Sequence, residues 1–381
     1  MIDRAQVAAV LADLVKIESI NPELVAGGSG EAGIARYVAD FLRSAGLKTR
    51  VQKLGRNRAN VLGVLRGRGG GRSLMLNGHL DTVGVAGMQN PFSARVEAGR
   101  LYGRGAQDMK GGITAALLAA AALAPESRLR GNLVVAAVAD EEHKSLGTRA
   151  LLNEINTDAA IVMEPTGLEV ASAHKGFAWA TVETLGKAAH GSRPQDGVDA
   201  IAMMGRVLGG IENLQKKLEA APAHPLLGCG SVHASIISGG NELSTYPAHC
   251  RLSVERRLLP GEGVSTFERE LAEIVSQLGR QDRKFRARTV MGYSALALET
   301  ARESPIAQTL LDCARKIVGR SAKFGAQSFW TDAALLNEAG IASVLFGPGG
   351  EGLHSTVEYV RLEDVALCAE TLVECAKEFC Q

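Results

Sequence analysis

Aromatic residues make up only 4% of this 381-residue chain, and no basic stripe carries aromatics interleaved among its Lys and Arg. With a formal net charge of +1, that scarcity argues against a nucleic-acid partner. No apolar run reaches the roughly 20 residues that span a bilayer. The most apolar stretch, residues 113–124, stops at Pro125, so no membrane partner is expected. Nor does a basic-then-apolar leader open the chain. Met1-Ile2-Asp3-Arg4 runs straight into an amphipathic pattern, and a cytoplasmic protein is expected. The six cysteines form no C-x-x-C pair and no regular framework, so reduced thiols are expected rather than disulfides or a cysteine metal site. The glycines at 67–71 lack a following G-K-S/T signature and read as a hairpin turn, not a phosphate cradle.

The length exceeds the usual single domain, and 46% hydrophobic content supports a substantial core. Helical spacing appears over residues 5–17 and 31–45, and strands are expected at 49–51 and 60–65. Four short aliphatic runs, 73–77, 132–139, 159–163 and 342–346, are bounded by polar or glycine-rich sequence. They predict buried central strands alternating with helices such as 112–123 and 304–318, which is an α/β fold. In open α/β sheets the site lies off the carboxyl ends of the strands. From about 178 to 291 the texture changes: residues 178–185 and 250–257 alternate, while 200–214 and 264–278 have helical spacing. This predicts a small two-layer α+β domain inserted into the first, leaving 1–177 and 292–381 as the outer domain.

The residues just past the predicted strand ends are chemically distinctive. His79 and Asp81 lie two apart, so on an extended segment they share a face. Asp81 can then accept from the imidazole nitrogen not used for a metal. Asp108 follows Gly103-Arg104-Gly105 and precedes an apolar helix; it could bridge two cations or simply cap that helix. Glu141 and Glu142 are adjacent carboxylates whose repulsion a cation or a shared proton would relieve. One could bind metal while the other takes a proton from water; a solvated acidic turn is the plain alternative. Glu164 directly follows an apolar run, and His354 sits in a glycine-rich loop able to return to the sheet edge. Each alone reads as structural, but their convergence on one edge points to two hydrolytic metal ions.

His79-Leu80-Asp81, the stretch from Gly103 through Asp108-Met109-Lys110-Gly111-Gly112, Glu141-Glu142, Glu164-Pro165-Thr166 and His354-Ser355 resemble the signatures of the dinuclear zinc deacylases and exopeptidases. Acetylornithine deacetylase, succinyl-diaminopimelate desuccinylase, aminoacylase and the glutamate carboxypeptidases belong to that family. The resemblance covers almost the whole chain in the family's order. It implies a zinc-peptidase-like catalytic domain with a central mixed sheet, and an inserted dimerisation or lid domain. It implies two zinc ions per subunit, replaceable by cobalt or manganese. His79 and Glu164 would hold one ion, Glu142 and His354 the other, with Asp108 between them. Glu141 would be the general base acting on a bridging water, and Asp81 the partner of His79. His190, in Lys187-Ala188-Ala189-His190-Gly191-Ser192, resembles the histidine that enters the second subunit's site of a homodimer. Asn241 and Arg257 fall in segments where relatives hold a substrate carboxylate, and a guanidinium suits that task. Here Glu255 replaces a frequent aspartate, and Ser244-Thr245-Tyr246-Pro247 departs from the usual pattern. The runs 164–166 and 173–176 look most like the acetylornithine deacetylase branch. The implied reaction removes a small acyl group from an N-acyl amino acid with a free carboxylate. A carboxypeptidase or dipeptidase is the alternative, and a non-catalytic metal-binding dimer the remote one.

Overall fold

The four aliphatic runs occupy the centre of one sheet in the computed structural model, which describes residues 2–126, 129–319 and 322–381. The strands follow the order Lys48–Gly55, Arg58–Leu65, Leu133–Val138, Leu74–His79, Ala159–Val162, Ala342–Leu345, Val170–His174. The four at the middle are mutually parallel, and their side chains are almost wholly buried. Burial on both faces explains why these segments read as continuous rather than alternating apolar runs. Helix Gly111–Leu123 is apolar all round and buried from Gly111 to Ala120 and again at Leu123, as a helix packed into a core must be. It packs with Arg4–Lys16 and Leu362–Phe379 in one hydrophobic core.

The glycines at 67–71 do not make the expected hairpin. Strand Leu133–Val138 lies between Arg58–Leu65 and Leu74–His79, so the strands flanking this turn are not paired. A Cβ at Gly67 or Gly71 would collide with the backbone at Arg130 or Gly131, so close approach to that crossing segment, not hairpin geometry, calls for glycine. The hairpin of this region lies one connection earlier, between Lys48–Gly55 and Arg58–Leu65.

The chain divides into two units. The first comprises Met1–Ser172, Thr300–Ala326 and Thr331–Gln381, and the second Ala173–Glu299 with Gln327–Trp330. The second is wider than residues 178–291 because its strands start at Gly176 and end at Ala295. It contains an antiparallel sheet ordered Ser231–Gly239, His249–Leu258, Gly176–Leu185, Ala287–Ala295. Ala178, Ala180, Val182, Leu252 and Val254 pack against residues of helices Ala200–Ala220 and Val264–Gln281, forming a core of its own.

One glycine fixes how the helix after Asp108 meets the sheet. A Cβ on Gly112 would overlap the carbonyl oxygen of Met163 and come within 2.8 Å of the Met163 Cβ. Gly112→Ala is therefore expected to cost about 1–3 kcal/mol through overpacking. Urea unfolding with an unchanged m-value and a lowered midpoint would report it; an unchanged midpoint would contradict the packing argument.

Candidate metal centre

Parallel pairing brings the strand ends to one edge. Leu74 is level with Leu133 and His79 with Val138, while Asn77 is level with Val162. Two residues further along each strand, Glu164 falls beside His79. Glu141 and Glu142 follow Val138 through a tight turn in which Asp140 has φ of +71°.

Asp108 is the hinge of the cluster. Its Oδ1 lies 2.9 Å from His79 Nε2, and its Oδ2 lies 3.3 Å from His354 Nε2. His79 Nε2 is 3.9 Å from Glu164 Oε1, and His354 Nε2 is 3.1 Å from Glu142 Oε2. Two groups result, His79–Asp108–Glu164 and Asp108–Glu142–His354, each with its potential ligand atoms within 4.8 Å of one another. His79 and Glu164 are buried, whereas the His354 side chain is 53% exposed on its glycine-rich loop.

The electrostatics of the cluster favour bound positive charge. Burial opposes a charged His79, but its hydrogen bond to Asp108 and the nearby Glu164 raise its pKa well above the ordinary imidazole value. Hydrogen bonds to Asp108 and Glu142 push His354 up to about 10. Burial raises the carboxyls of Glu141, Glu142 and Glu164, with neighbouring carboxylates adding to the shift. Burial would also raise Asp108, but hydrogen bonds from His354 and His79 outweigh it and hold that carboxyl well below its usual range.

Divalent ions fit the same residues. Asp108, Glu142 and Glu164, together with Glu141, bring four formal negative charges, which two dications would balance. Imidazole nitrogen with carboxylate oxygen is a ligand set suited to zinc and neighbouring first-row metals. Glu142 Oε1 is buried, and among the described residues nothing hydrogen-bonds to it. An acceptor left in that state is costly unless a cation takes it up.

The surrounding hydrogen bonds differ from the expectation for Asp81. His79 Nδ1 lies 2.9 Å from the Asp81 carbonyl oxygen and 3.8 Å from the nearer carboxylate oxygen. The Asp81 carboxylate instead accepts from the backbone N–H groups of Glu141 and Glu142, at 3.1 and 3.2 Å, and from Asn21 Nδ2 at 2.8 Å. It therefore holds the acidic turn, while the main chain orients the imidazole. Asn21 also donates to Asp140, which receives Arg58, itself paired with buried Glu31.

Several supporting residues escaped the sequence reading. Buried Glu358 accepts from the backbone N–H of Gly105 (3.0 Å), Gln107 (2.9 Å) and Asp108 (3.1 Å), and from Arg104 Nη1 at 2.6 Å. Arg104 also donates to the carbonyl of Ser355, next to His354. Asp332, hydrogen-bonded by Thr148 at 2.5 Å, has a carboxyl pushed up to about 6 by burial. None of these sits in a spacing pattern; only the Gly103-x-Gly105 turn hints that its loop needs an external acceptor.

His190, Asn241 and Arg257 belong to the second unit. His190 is exposed, pairs with Thr245 in a short bridge, and has Nδ1 2.8 Å from Ser192 Oγ. Asn241 is exposed in the loop that leads to Thr245. Arg257 Nε donates to Glu255 at 2.6 Å. Its neighbour Arg256 is buried and pairs with Glu262 and Glu270. All six cysteines are free, and five of them are buried. Among the described residues no helix is long and apolar enough to cross a membrane.

A parallel sheet edge bearing two imidazole–carboxylate groups that share one aspartate is a candidate dinuclear metal centre, and the family match makes the protein a hydrolase acting on amide bonds. The chain belongs to peptidase family M20/M25/M40, whose profile matches residues 75–378. It is 33% identical over 358 residues to the acetylornithine deacetylase of Myxococcus xanthus, covering 90% of this chain and 91% of that protein. Its fold matches aminopeptidase PepT of Bacillus cereus with a TM-score of 0.83 at 19% identity, over 100% of both chains. It also matches YXEP of Bacillus subtilis, described as a dinuclear metal binding peptidase of the M20 family, with a TM-score of 0.76 at 14% identity over 98% and 97% of the two chains.

Proposed function

We propose that this chain removes a small acyl group from an N-acyl amino acid bearing a free carboxylate. The observation that carries the reading is the shared Asp108. Its two oxygens face two separate imidazole–carboxylate groups, the arrangement that a pair of hydrolytic ions requires. The extended similarity to an acetylornithine deacetylase supports a deacylase over a peptidase.

In this reading His79 and Glu164 hold one ion, Glu142 and His354 the other, and Asp108 both; zinc is the proposed metal, with cobalt or manganese as substitutes. Such ions, when bound, supply Lewis acidity and ease the deprotonation of water. Glu141 stands beside both groups without belonging to either, and in this reading bound dications would hold it as the carboxylate that takes a proton from the attacking water. It then returns that proton to the departing amine. Asp81 fixes the backbone of Glu141 and aims it. Asn241 and Arg257 are assigned to the substrate carboxylate. His190, from a second copy of the chain, is assigned to the developing oxyanion, where a lost donor typically costs about 3–4 kcal/mol. Residues 178–291 would then serve as the dimerisation or lid domain, and the free thiols suit a reducing cytoplasm.

A panel of N-acetyl, N-succinyl and N-formyl amino acids plus unblocked dipeptides, assayed for released amine with added zinc or cobalt, tests this reading. The acylated amino acids are expected to give a kcat/KM at least about tenfold above the dipeptides, a difference of roughly 1.4 kcal/mol. Substantial activity confined to unblocked peptides would overturn the deacylase choice in favour of a dipeptidase or carboxypeptidase.

A further inference from the structure

In a chain so poor in aromatics, both tryptophans fall in one cluster of the second unit. Phe177 is the hub. Its ring centroid lies 5.2 Å from that of Trp179, 5.8 Å from Tyr293 and 6.2 Å from Trp330, the last edge-on at 88°. Trp179 and Tyr293 are 6.1 Å apart. Strand alternation builds the patch. Ala178, Ala180 and Val182 face the helix-covered core, which turns Phe177 and Trp179 to the other face of the sheet.

Cross-strand register then adds charge to the rings. Arg257 pairs with Phe177 and Glu255 with Trp179. The guanidinium carbon of Arg257 stands 5.6 Å from the Phe177 centroid. Glu255 receives Arg257 Nε on one oxygen at 2.6 Å and the Trp179 indole N–H on the other at 2.9 Å. The glutamate thus fixes the orientation of both side chains. Among the described residues, Arg257 Nη1 and Nη2 make no hydrogen bond, so two charged donors remain at the edge of the ring cluster. Trp179 itself stays 47% exposed. An aromatic cluster whose Trp179 face stays open to water, with half-buried Phe177, Tyr293 and Trp330 behind it and an oriented guanidinium beside it, is the composition of a recognition surface, not of a solvated sheet face.

We infer that this face binds a carboxylate carrying an aromatic side group: the ring lies against Trp179, Phe177 and Tyr293, and the carboxylate takes the Nη donors of Arg257. Charge complementarity selects the anion, and the ring cluster selects the side group. A cationic side chain such as that of ornithine would approach a fixed guanidinium and is disfavoured. The inference deepens the proposed deacylase reading by naming the side group of the substrate: it rests on that reading for the carboxylate at Arg257 and for the choice of probes, which are N-acyl amino acids, while the ring contacts stand on the cluster itself.

The two tryptophans make the site directly observable. The full-length protein, stripped of metal by a chelator so that nothing turns over, is titrated with N-acetyl-L-phenylalanine while tryptophan fluorescence is followed. A saturable change is expected, with affinity at least about tenfold above that for N-acetylglycine, which lacks the ring, and for N-acetylphenethylamine, which lacks the carboxylate. Arg257→Gln should weaken N-acetyl-L-phenylalanine by roughly tenfold or more and leave N-acetylphenethylamine unchanged. Trp179→Leu should weaken both, and Trp179→Phe should restore much of that loss; the far-ultraviolet circular dichroism of each variant reports whether it folds. Absence of a saturable response to N-acetyl-L-phenylalanine would overturn the inference, as would equal affinity for N-acetyl-L-ornithine. Because no hydrolysis is read, inactivity in the substrate panel alongside intact ring-dependent binding would remove the hydrolytic assignment and leave this site standing.

Discussion

Glu141→Gln is expected to lower kcat by about two to four powers of ten while leaving the ion content of the protein unchanged. The two halves of that result come from different parts of the geometry. Glu141 belongs to neither three-residue ligand group, so removing its charge takes no ligand from an ion. Glutamine has nearly the same shape, and the turn at 141–142 is held by backbone N–H groups donating to Asp81, which the substitution leaves in place. What disappears is the carboxylate to which the proposed reading gives the task of accepting a proton and returning it. Parallel measurement of kcat and of bound metal by elemental analysis checks both halves. Turnover near the parent value would dismiss Glu141 as the base. Loss of one ion would instead make it a ligand.

How legible the site was depended on the range of the forces involved. The central strands announced themselves because burial on both faces demands uninterrupted aliphatic runs, and Leu133–Val138 and Ala159–Val162 meet that demand in full. Once those strands are parallel, register alone places Glu164 beside His79. Alternation gave the direction of the Asp81 side chain but could not name its partners, which are main-chain N–H groups sixty residues away and the amide of Asn21. The glycines at 67–71 advertised a turn, but local turn chemistry carries no information about a strand inserted later between its arms. Glu358 left no trace at all in the sequence pattern. Three of its four partners are backbone amides, which every residue but proline supplies.

That silent glutamate carries the second large effect. Glu358→Ala is expected to destabilise the protein by about 3–5 kcal/mol, the usual consequence of stranding one member of a buried ion pair. Arg104 would be left 3% exposed with its carboxylate partner gone, and three N–H groups of the loop that bears Asp108 would lose their acceptor. The consequence for metal should be uneven. Arg104 donates both to Glu358 and to the carbonyl of Ser355, so the pair ties the loop of Asp108 to the loop of His354. His79 and Glu164 sit instead on strand ends fixed by the sheet. The ion proposed for Asp108, Glu142 and His354 should therefore weaken by about 10–100-fold, the range typical when the support of a ligand is removed. The ion proposed for His79 and Glu164 should weaken less, because of its three proposed ligands only Asp108 is disturbed. Glu358→Gln, which keeps one acceptor oxygen and the shape, should fall between the parent and the alanine variant in both stability and affinity. Competition with a chromophoric chelator resolves the two affinities, and urea unfolding gives the stability. Equal weakening of both ions in the glutamine variant would show that Glu358 supports the fold as a whole and does not set the spacing between Asp108 and His354.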